Sequence, residues 1–191
     1  MRVSAFVASM SVAIAALVPA ACPAGADTVP AMGSFTMTTA PGILPAWSAS
    51  NITIIGVAPA SVTTSRFSSD ATITMPLVAK NGTANASAGG FRVTNTESGD
   101  SFRCLIPVVD TRARVIDCLT DAGYNLTVFS IEEIDDRQTL TTSSTRTTIF
   151  EGMEIRLTAS GASMLNRELD TTVFSTSVAV ADGTLLVRRA R

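Results

Sequence analysis

Histidine is absent from this 191-residue sequence, and its absence removes the commonest catalytic constellations. Without an imidazole the chain cannot form a Ser-His-Asp triad or a Cys-His pair. Lys80 is the only lysine and no SxxK motif precedes it, so the sequence gives no support for serine–lysine chemistry. Zinc is disfavoured as well, because two thiols without histidine supply only half of a four-ligand site. These absences predict a protein that is not an enzyme and that uses no metal or other cofactor.

Charged residues are also scarce, at 16% of the chain, and the formal net charge is −2. Threonine, serine and asparagine must therefore provide most of the polar surface. This charge balance gives no electrostatic reason to bind nucleic acid or an anionic membrane, and no nucleic-acid partner is expected. A small basic cluster ends the chain at Arg188, Arg189 and Arg191. We interpret it as a solvated tail rather than a binding patch.

The first 26 residues have the three parts of a secretory signal peptide. Arg2 gives the positive start, Val3–Val18 is an uncharged apolar run, and Ala24-Gly25-Ala26 matches the small-x-small cleavage pattern. The apolar run is shorter than the roughly 20 residues that a transmembrane helix needs. We therefore predict cleavage after residue 26, a single secreted, extracellular domain over residues 27–191, and no transmembrane segment in that domain.

The mature chain keeps two cysteines, Cys104 and Cys118, which lie symmetrically about Thr111 in a polar turn. An even number of cysteines in an oxidising compartment indicates a disulfide. If the flanking segments fold back on each other as strands, the two sulfurs face each other across the ladder. The alternative for Cys22 is a lipidated cysteine, for which the small residues at 20 and 21 fit and Pro19 does not.

Beyond residue 33, short runs rich in threonine, valine, isoleucine and phenylalanine alternate with turn-forming residues. Strands with turns roughly every 8–12 residues are typical of sandwiches and barrels. The predicted fold is all-β: a single antiparallel β-sandwich, or a partly open barrel, with one short helix near the C-terminus. Asn81–Gly90 is small and polar and is interpreted as a long loop. The predicted strands are Ser34–Thr39, Asn51–Val57, Ser61–Phe67, Ala71–Ala79, Gly90–Asn95, Ser101–Val109, Arg112–Leu119, Leu126–Ile131, Thr139–Thr142, Thr147–Leu157, Thr172–Val180 and Thr184–Val187.

One segment departs from the strand pattern. Ala162, Leu165 and Leu169 recur at helical spacing after Thr158, which is a suitable N-cap. This pattern predicts a short helix that plugs an open end of the sandwich. Gly161 opposes the prediction, because glycine inside a helix costs about 1 kcal/mol relative to alanine.

Carboxylates come close together in two places along the chain. They could form a glycosidase acid and nucleophile pair or a calcium site of hard oxygens. No DxDxDG-like loop is present, so we interpret the first group as a solvated connection between strands that begins after Ile131. The residues concerned are Glu132, Glu133, Asp135 and Asp136, followed by Glu151 and Glu154.

From Thr72 to Val187, the order of motifs resembles secreted actinobacterial domains of the HtaA haem-uptake type. The motifs are ITMPLV at 73–78, AGGFRV at 88–93, PVVDTRARVIDC at 107–118, FSI at 129–131, IRLTASGASMLNREL at 155–169 and TTVFSTSVAVADGTLLV at 171–187. The resemblance implies a secreted, mainly β domain with a short helix, docked at the cell envelope. Family members that bind haem use tyrosine and histidine, whereas this chain has no histidine and only Tyr124, in a turn.

Together these features predict a secreted or envelope-associated, non-enzymatic bacterial protein with a binding or structural role. It would contact the cell envelope or a small ligand. The alternative is a small-molecule binding protein that holds a lipid or a haem-like ligand between its sheets.

Overall fold

The computed structural model describes residues 29–30, 32–64 and 69–190, and this part of the chain forms twelve strands and two helices. The predicted signal peptide, Cys22 and Arg191 lie outside the described residues. Neither described helix is long and apolar enough to span a membrane.

Strands β1 to β12 and helices α1 and α2 follow the chain in this order. They are β1 (Val29–Pro30), β2 (Met32–Thr39), α1 (Ile43–Ala49), β3 (Ile52–Val57), β4 (Ser61–Thr64), β5 (Ala71–Asn81), β6 (Ala84–Ser87), β7 (Gly90–Asn95), β8 (Ser101–Asp110), β9 (Val115–Leu119), β10 (Asn125–Thr141), β11 (Thr145–Leu157), α2 (Ala159–Glu168) and β12 (Ala179–Ala190).

The sheet closes on itself as an antiparallel barrel of eight strands. Its circuit runs β5, β2, β12, β11, β10, β9, β8 and β6, after which β6 pairs with β5 again. β1 and β4 add to β5, and β7 and β3 continue outward from β8. The all-β class is therefore confirmed. The predicted sandwich is wrong, and the barrel given as its alternative is closed rather than partly open. The segment Asn81–Gly90, which the sequence predicts to be a loop, contains strand β6, and β6 joins the edges of β5 and β8.

The barrel interior is filled by alternate side chains from the strands, as period-two burial requires. Phe35, Met75, Ile116, Met153 and Leu185 are among the large side chains that have no exposed surface. They belong to five different strands and to one continuous hydrophobic cluster.

Helix α2 covers one end of the barrel, as the sequence predicts. The Thr158 hydroxyl caps it by accepting a hydrogen bond from the Gly161 N–H at 2.9 Å. Leu165 and Leu169 are buried, and the Asn95 side chain donates to the Leu169 carbonyl at 2.8 Å. The helix itself contacts mainly β10, and to a smaller extent β8 and β11.

Helix α1 was not predicted, because seven residues containing a proline give little helical periodicity. Its Trp47 ring lies 5.4 Å from the ring of Phe174. That phenylalanine is in a segment predicted as strand Thr172–Val180, where the structure has strand only from Ala179. The segment bonds to α2 instead: the Asn166 side chain exchanges two hydrogen bonds with the Phe174 backbone, at 2.9 and 3.0 Å.

A disulfide joins Cys104 and Cys118, whose Cα atoms are 4.9 Å apart and whose side chains are fully buried. The two residues are not directly opposite each other in the ladder, because Leu105 pairs with Leu119. The register shifts between Leu105 and Val108, and Asp110 pairs with Val115. The hairpin is therefore not centred on Thr111, the turn residue that the sequence predicts.

The replacement of Gly161 by alanine tests the seating of α2. A Cβ atom at this position would collide with the Val128 backbone carbonyl. Helix propensity alone predicts a gain of about 1 kcal/mol. We expect instead a loss of about 1–3 kcal/mol in the free energy of unfolding, the usual cost of overpacking. Urea denaturation measures the difference.

The matched control is Ser163→Ala in the same helix, at an exposed position. It should leave stability unchanged or raise it by a few tenths of a kcal/mol. A Gly161→Ala variant that is more stable than the parent would contradict the close packing of α2 on β10.

Candidate functional site

A cavity of about 260 Å³ opens at the end of the barrel opposite α2. α2 follows the last residue of β11, whereas the cavity lies beside the first residues of that strand. We call it the basic pocket. It is lined by Lys80, Gly82, Thr83, Thr111, Arg137, Arg146, Thr148, Phe150, Val187 and Arg189.

Three arginines form one wall of the basic pocket, and the β-ladder sets their positions. Arg146 on β11 pairs directly with Arg189 on β12, so two like charges are neighbours on the same face. Arg137 on β10 pairs with Phe150, and its guanidinium carbon lies 5.4 Å from the centre of that ring. This distance is within the range of cation–π attraction. Like charges directly opposite each other destabilise a sheet, so this wall is not explained by stability.

Lys80 on β5 supplies the fourth cation from the other wall. Its ammonium donates to the side-chain oxygen of Asn85 on β6 at 3.4 Å. Asn85 is fully buried, and its amide donates to the carbonyls of Thr83 at 2.9 Å and Val109 at 3.4 Å. The amide orientation is thus fixed by the backbone, and the lysine is held at the pocket by a rigid partner.

Burial lowers the pKa of Lys80, and the nearby positive charges of Arg189 and Arg137 lower it further. The carboxylate of Asp110 acts in the opposite direction. The influence of two arginines on one amine indicates that the two walls are close enough for their charges to interact.

Asp110 organises the two turns that form the rim of the basic pocket. Its carboxylate accepts from the Thr83 hydroxyl at 2.9 Å and from the backbone N–H groups of Arg112 and Ala113 at 2.8 and 3.0 Å. Burial alone would raise the pKa of Asp110, but these hydrogen bonds outweigh it and lower the pKa below its ordinary value. The turn after β5 uses Gly82 at φ +56°, where a side chain would be strained.

Within residues 29–30, 32–64 and 69–190, no ion pair engages the four cations of the basic pocket. The ion pairs formed by that part of the chain involve other arginines, as in Arg103 with Asp121. The basic pocket is therefore a concentration of positive charge in a chain whose net charge is negative.

The acidic residues do not form a site. Glu132, Glu133, Asp135 and Asp136 are all exposed and are spread along one continuous strand, β10, so the predicted connection after Ile131 is wrong. Glu154 and Glu151 lie opposite them on β11. Among the described residues, no three acidic or cysteine side chains are arranged to hold a metal ion.

Tyr124 lies at the end of the barrel that α2 covers, far from the basic pocket along the strands. It is 46% exposed in the turn between β9 and β10, and its hydroxyl is 4.0 Å from the Met164 sulfur. The cavity beside it measures about 70 Å³.

The sequence did not reveal the basic pocket, because its cations are separated by up to 109 positions, from 80 to 189. The sequence predicts a solvated tail at Arg189, but the structure places this residue within β12, with its side chain at the pocket. One sequence feature could have indicated part of the lining. Arg146, Thr148 and Phe150 are two residues apart, and the period of a strand places such side chains on one face.

No protein-family model matches this chain, and no curated protein matches it in sequence. A solved structure with a similar fold is the haem-binding protein HtaB from Corynebacterium glutamicum. The two chains are 16% identical, the similarity covers 87% of this chain and 98% of HtaB, and the TM-score is 0.52. The likeness supports the resemblance to HtaA-type domains at the level of the fold.

Because Lys80 is the only lysine, its titration can be observed by NMR on protein labelled at lysine Cε. We expect a pKa below the ordinary 10.5. The Arg189→Gln variant removes a nearby positive charge, so it should raise this pKa. Arg188→Gln, with the same change in charge on the next residue of β12, should alter it less. A pKa at or above 10.5 in the parent protein would contradict the convergence of these cations.

Proposed function

We propose that this chain is a secreted, non-enzymatic binding protein that holds a small anionic molecule in the basic pocket. The observation that carries the proposal is the direct pairing of Arg146 with Arg189, close to Arg137 and Lys80. Four cations around one cavity, of which only Lys80 interacts with a nearby carboxylate, repel each other, and an anion bound between them would be attracted to all four.

The shape and lining of the basic pocket agree with this role. Its volume of about 260 Å³ lies just below the roughly 300–1,000 Å³ of pockets for drug-sized ligands. It therefore suits a small metabolite or the anionic end of a larger molecule. Phe150 and Val187 offer an apolar surface, while Thr111 and Thr148 offer hydroxyl groups beside the cations.

Secretion belongs to the same proposal. It is supported by the signal-like residues 1–26 and by the buried Cys104–Cys118 disulfide, since disulfides persist in oxidising compartments. We take residues 27–191 as one domain, with envelope contact as a further part of the proposal. A binding role agrees with the fold of HtaB, a haem-binding protein.

A haem-like ligand is the second candidate, favoured by that same fold likeness. The residues of the basic pocket do not fit an iron-ligated haem, because lysine, arginine and threonine line it and Tyr124 lies at the opposite end. The pocket would instead suit the carboxylates of such a molecule. A lipid is less well supported, since the apolar crevice beside Trp47 measures about 20 Å³.

The small-anion proposal is tested by calorimetric titration with inorganic pyrophosphate at low ionic strength. We expect binding to the parent protein and about a fivefold loss of affinity in Arg189→Gln, the effect of removing one unit charge at about 4 Å in water. The matched control is Arg188→Gln, an exposed neighbour that does not line the pocket. Equal losses in the two variants, or no binding to the parent, would remove the proposal.

Haemin provides the comparison between the two candidates. We expect that adding haemin produces no Soret shift that depends on Tyr124. A shift that Tyr124→Phe abolishes and pyrophosphate does not compete with would favour the haem candidate over the small anion.

A further inference from the structure

The charges of the basic pocket are divided between two walls. Lys80 belongs to β5, whereas Arg137, Arg146 and Arg189 belong to β10, β11 and β12. The positive charges of Arg189 and Arg137 lower the pKa of Lys80, so the walls interact across the cavity. A ligand in the cavity can therefore meet cations on two sides at once.

The barrel fixes the backbone positions from which these cations project. The ladder holds Arg146 beside Arg189, the Phe150 ring lies under the guanidinium of Arg137, and the fully buried Asn85 bonds to Lys80. This placement keeps the charges near one another, so their repulsion is already present in the free protein.

One carboxylate on the chain compensates this array only in part. Asp110 is the acidic residue whose charge reaches Lys80, but its Oδ1 atom accepts three hydrogen bonds from the rim turns. The arginine wall has no such partner within the described residues. An anion with one charge would leave most of the repulsion in place.

We propose that the basic pocket selects anions that carry two or more negative groups on a compact frame, and binds them between its two walls. This inference rests on the proposed function and narrows its ligand class. The anionic groups are carboxylates or phosphates, both of which match the donors of arginine. The carbon frame of an organic ligand would lie against Phe150 and Val187.

The experiment is a calorimetric series at constant ionic strength, in which charge rises while the chemistry of the group is kept. Acetate, succinate and tricarballylate form the carboxylate arm, and inorganic phosphate and pyrophosphate form the phosphate arm. We expect affinity to rise roughly fivefold with each added charge, the contribution of one further ion pair at about 4 Å in water. The arm with the tighter binding identifies the source of the anionic groups.

Variants separate charge selection from a general attraction. Arg146→Gln should reduce the ratio of tricarballylate to acetate affinity by about fivefold, because it removes one contact that only a multivalent ligand uses. Arg188→Gln, which is exposed and outside the lining, should leave the ratio unchanged.

Thermal unfolding without ligand gives a second measurement that does not depend on binding. Arg146→Gln should raise Tm, since it removes one member of a like-charged cross-strand pair. A lower Tm would show that the arginine stabilises the sheet and would overturn the repulsion argument.

Failure of this inference is distinguishable from failure of the proposed function. Equal affinity for acetate, succinate and tricarballylate would overturn selection by charge and leave an anion pocket. Binding of none of the five anions would overturn both.

Discussion

The structure depends on the four-residue strand β6, which pairs with β5 on one side and with β8 on the other. Without it, two strand edges would carry unpaired backbone groups, and the eight-stranded circuit would be an open sheet. Open edges invite pairing with other chains, and closure removes them. The same strand carries Asn85, whose buried amide bonds to the carbonyl of Val109 on β8 and to Lys80 on β5. Closure of the barrel and placement of the pocket lysine therefore share one residue.

A tension between stability and binding follows from this arrangement. The hydrophobic cluster, the disulfide and α2 stabilise the barrel from its centre to its covered end. The other end keeps like charges together in a direct pair, Arg146 with Arg189, which costs stability. Like-charged pairs also occur between β10 and β11, where Glu133 is opposite Glu154, but those side chains are not gathered around a cavity. The arginine pair differs because it lines a cavity that two further cations share, and positions that break a rule of sheet construction are where functional sites are expected. The basic pocket is such a place.

The sequence predicts what local patterns encode. Strand Gly90–Asn95 has the predicted bounds, and Thr158 caps the helix as its spacing indicates, because turn chemistry and capping act over a few residues. The sequence does not predict β6, since Ala-Asn-Ala-Ser contains no β-branched or aromatic residue. Its strand conformation depends on pairing with the edges of β5 and β8. The site was missed for a related reason: Arg137 and Arg189 become neighbours of Lys80 only when the barrel closes.

The likeness to HtaB applies to the scaffold and has to be considered separately from the site. At 16% identity the shared part is the course of the backbone, and folds of this kind carry different ligands on the same frame. What the frame offers here is one end covered by helices and one end open. The open end lacks the histidine, tyrosine, cysteine and methionine that usually ligate haem iron and has four cations that fit anionic groups. The fold likeness would suggest haem as the ligand, whereas the side chains of the basic pocket favour the proposed anion of more than one charge. Side chains make the contacts that distinguish one ligand from another, so the second argument takes precedence.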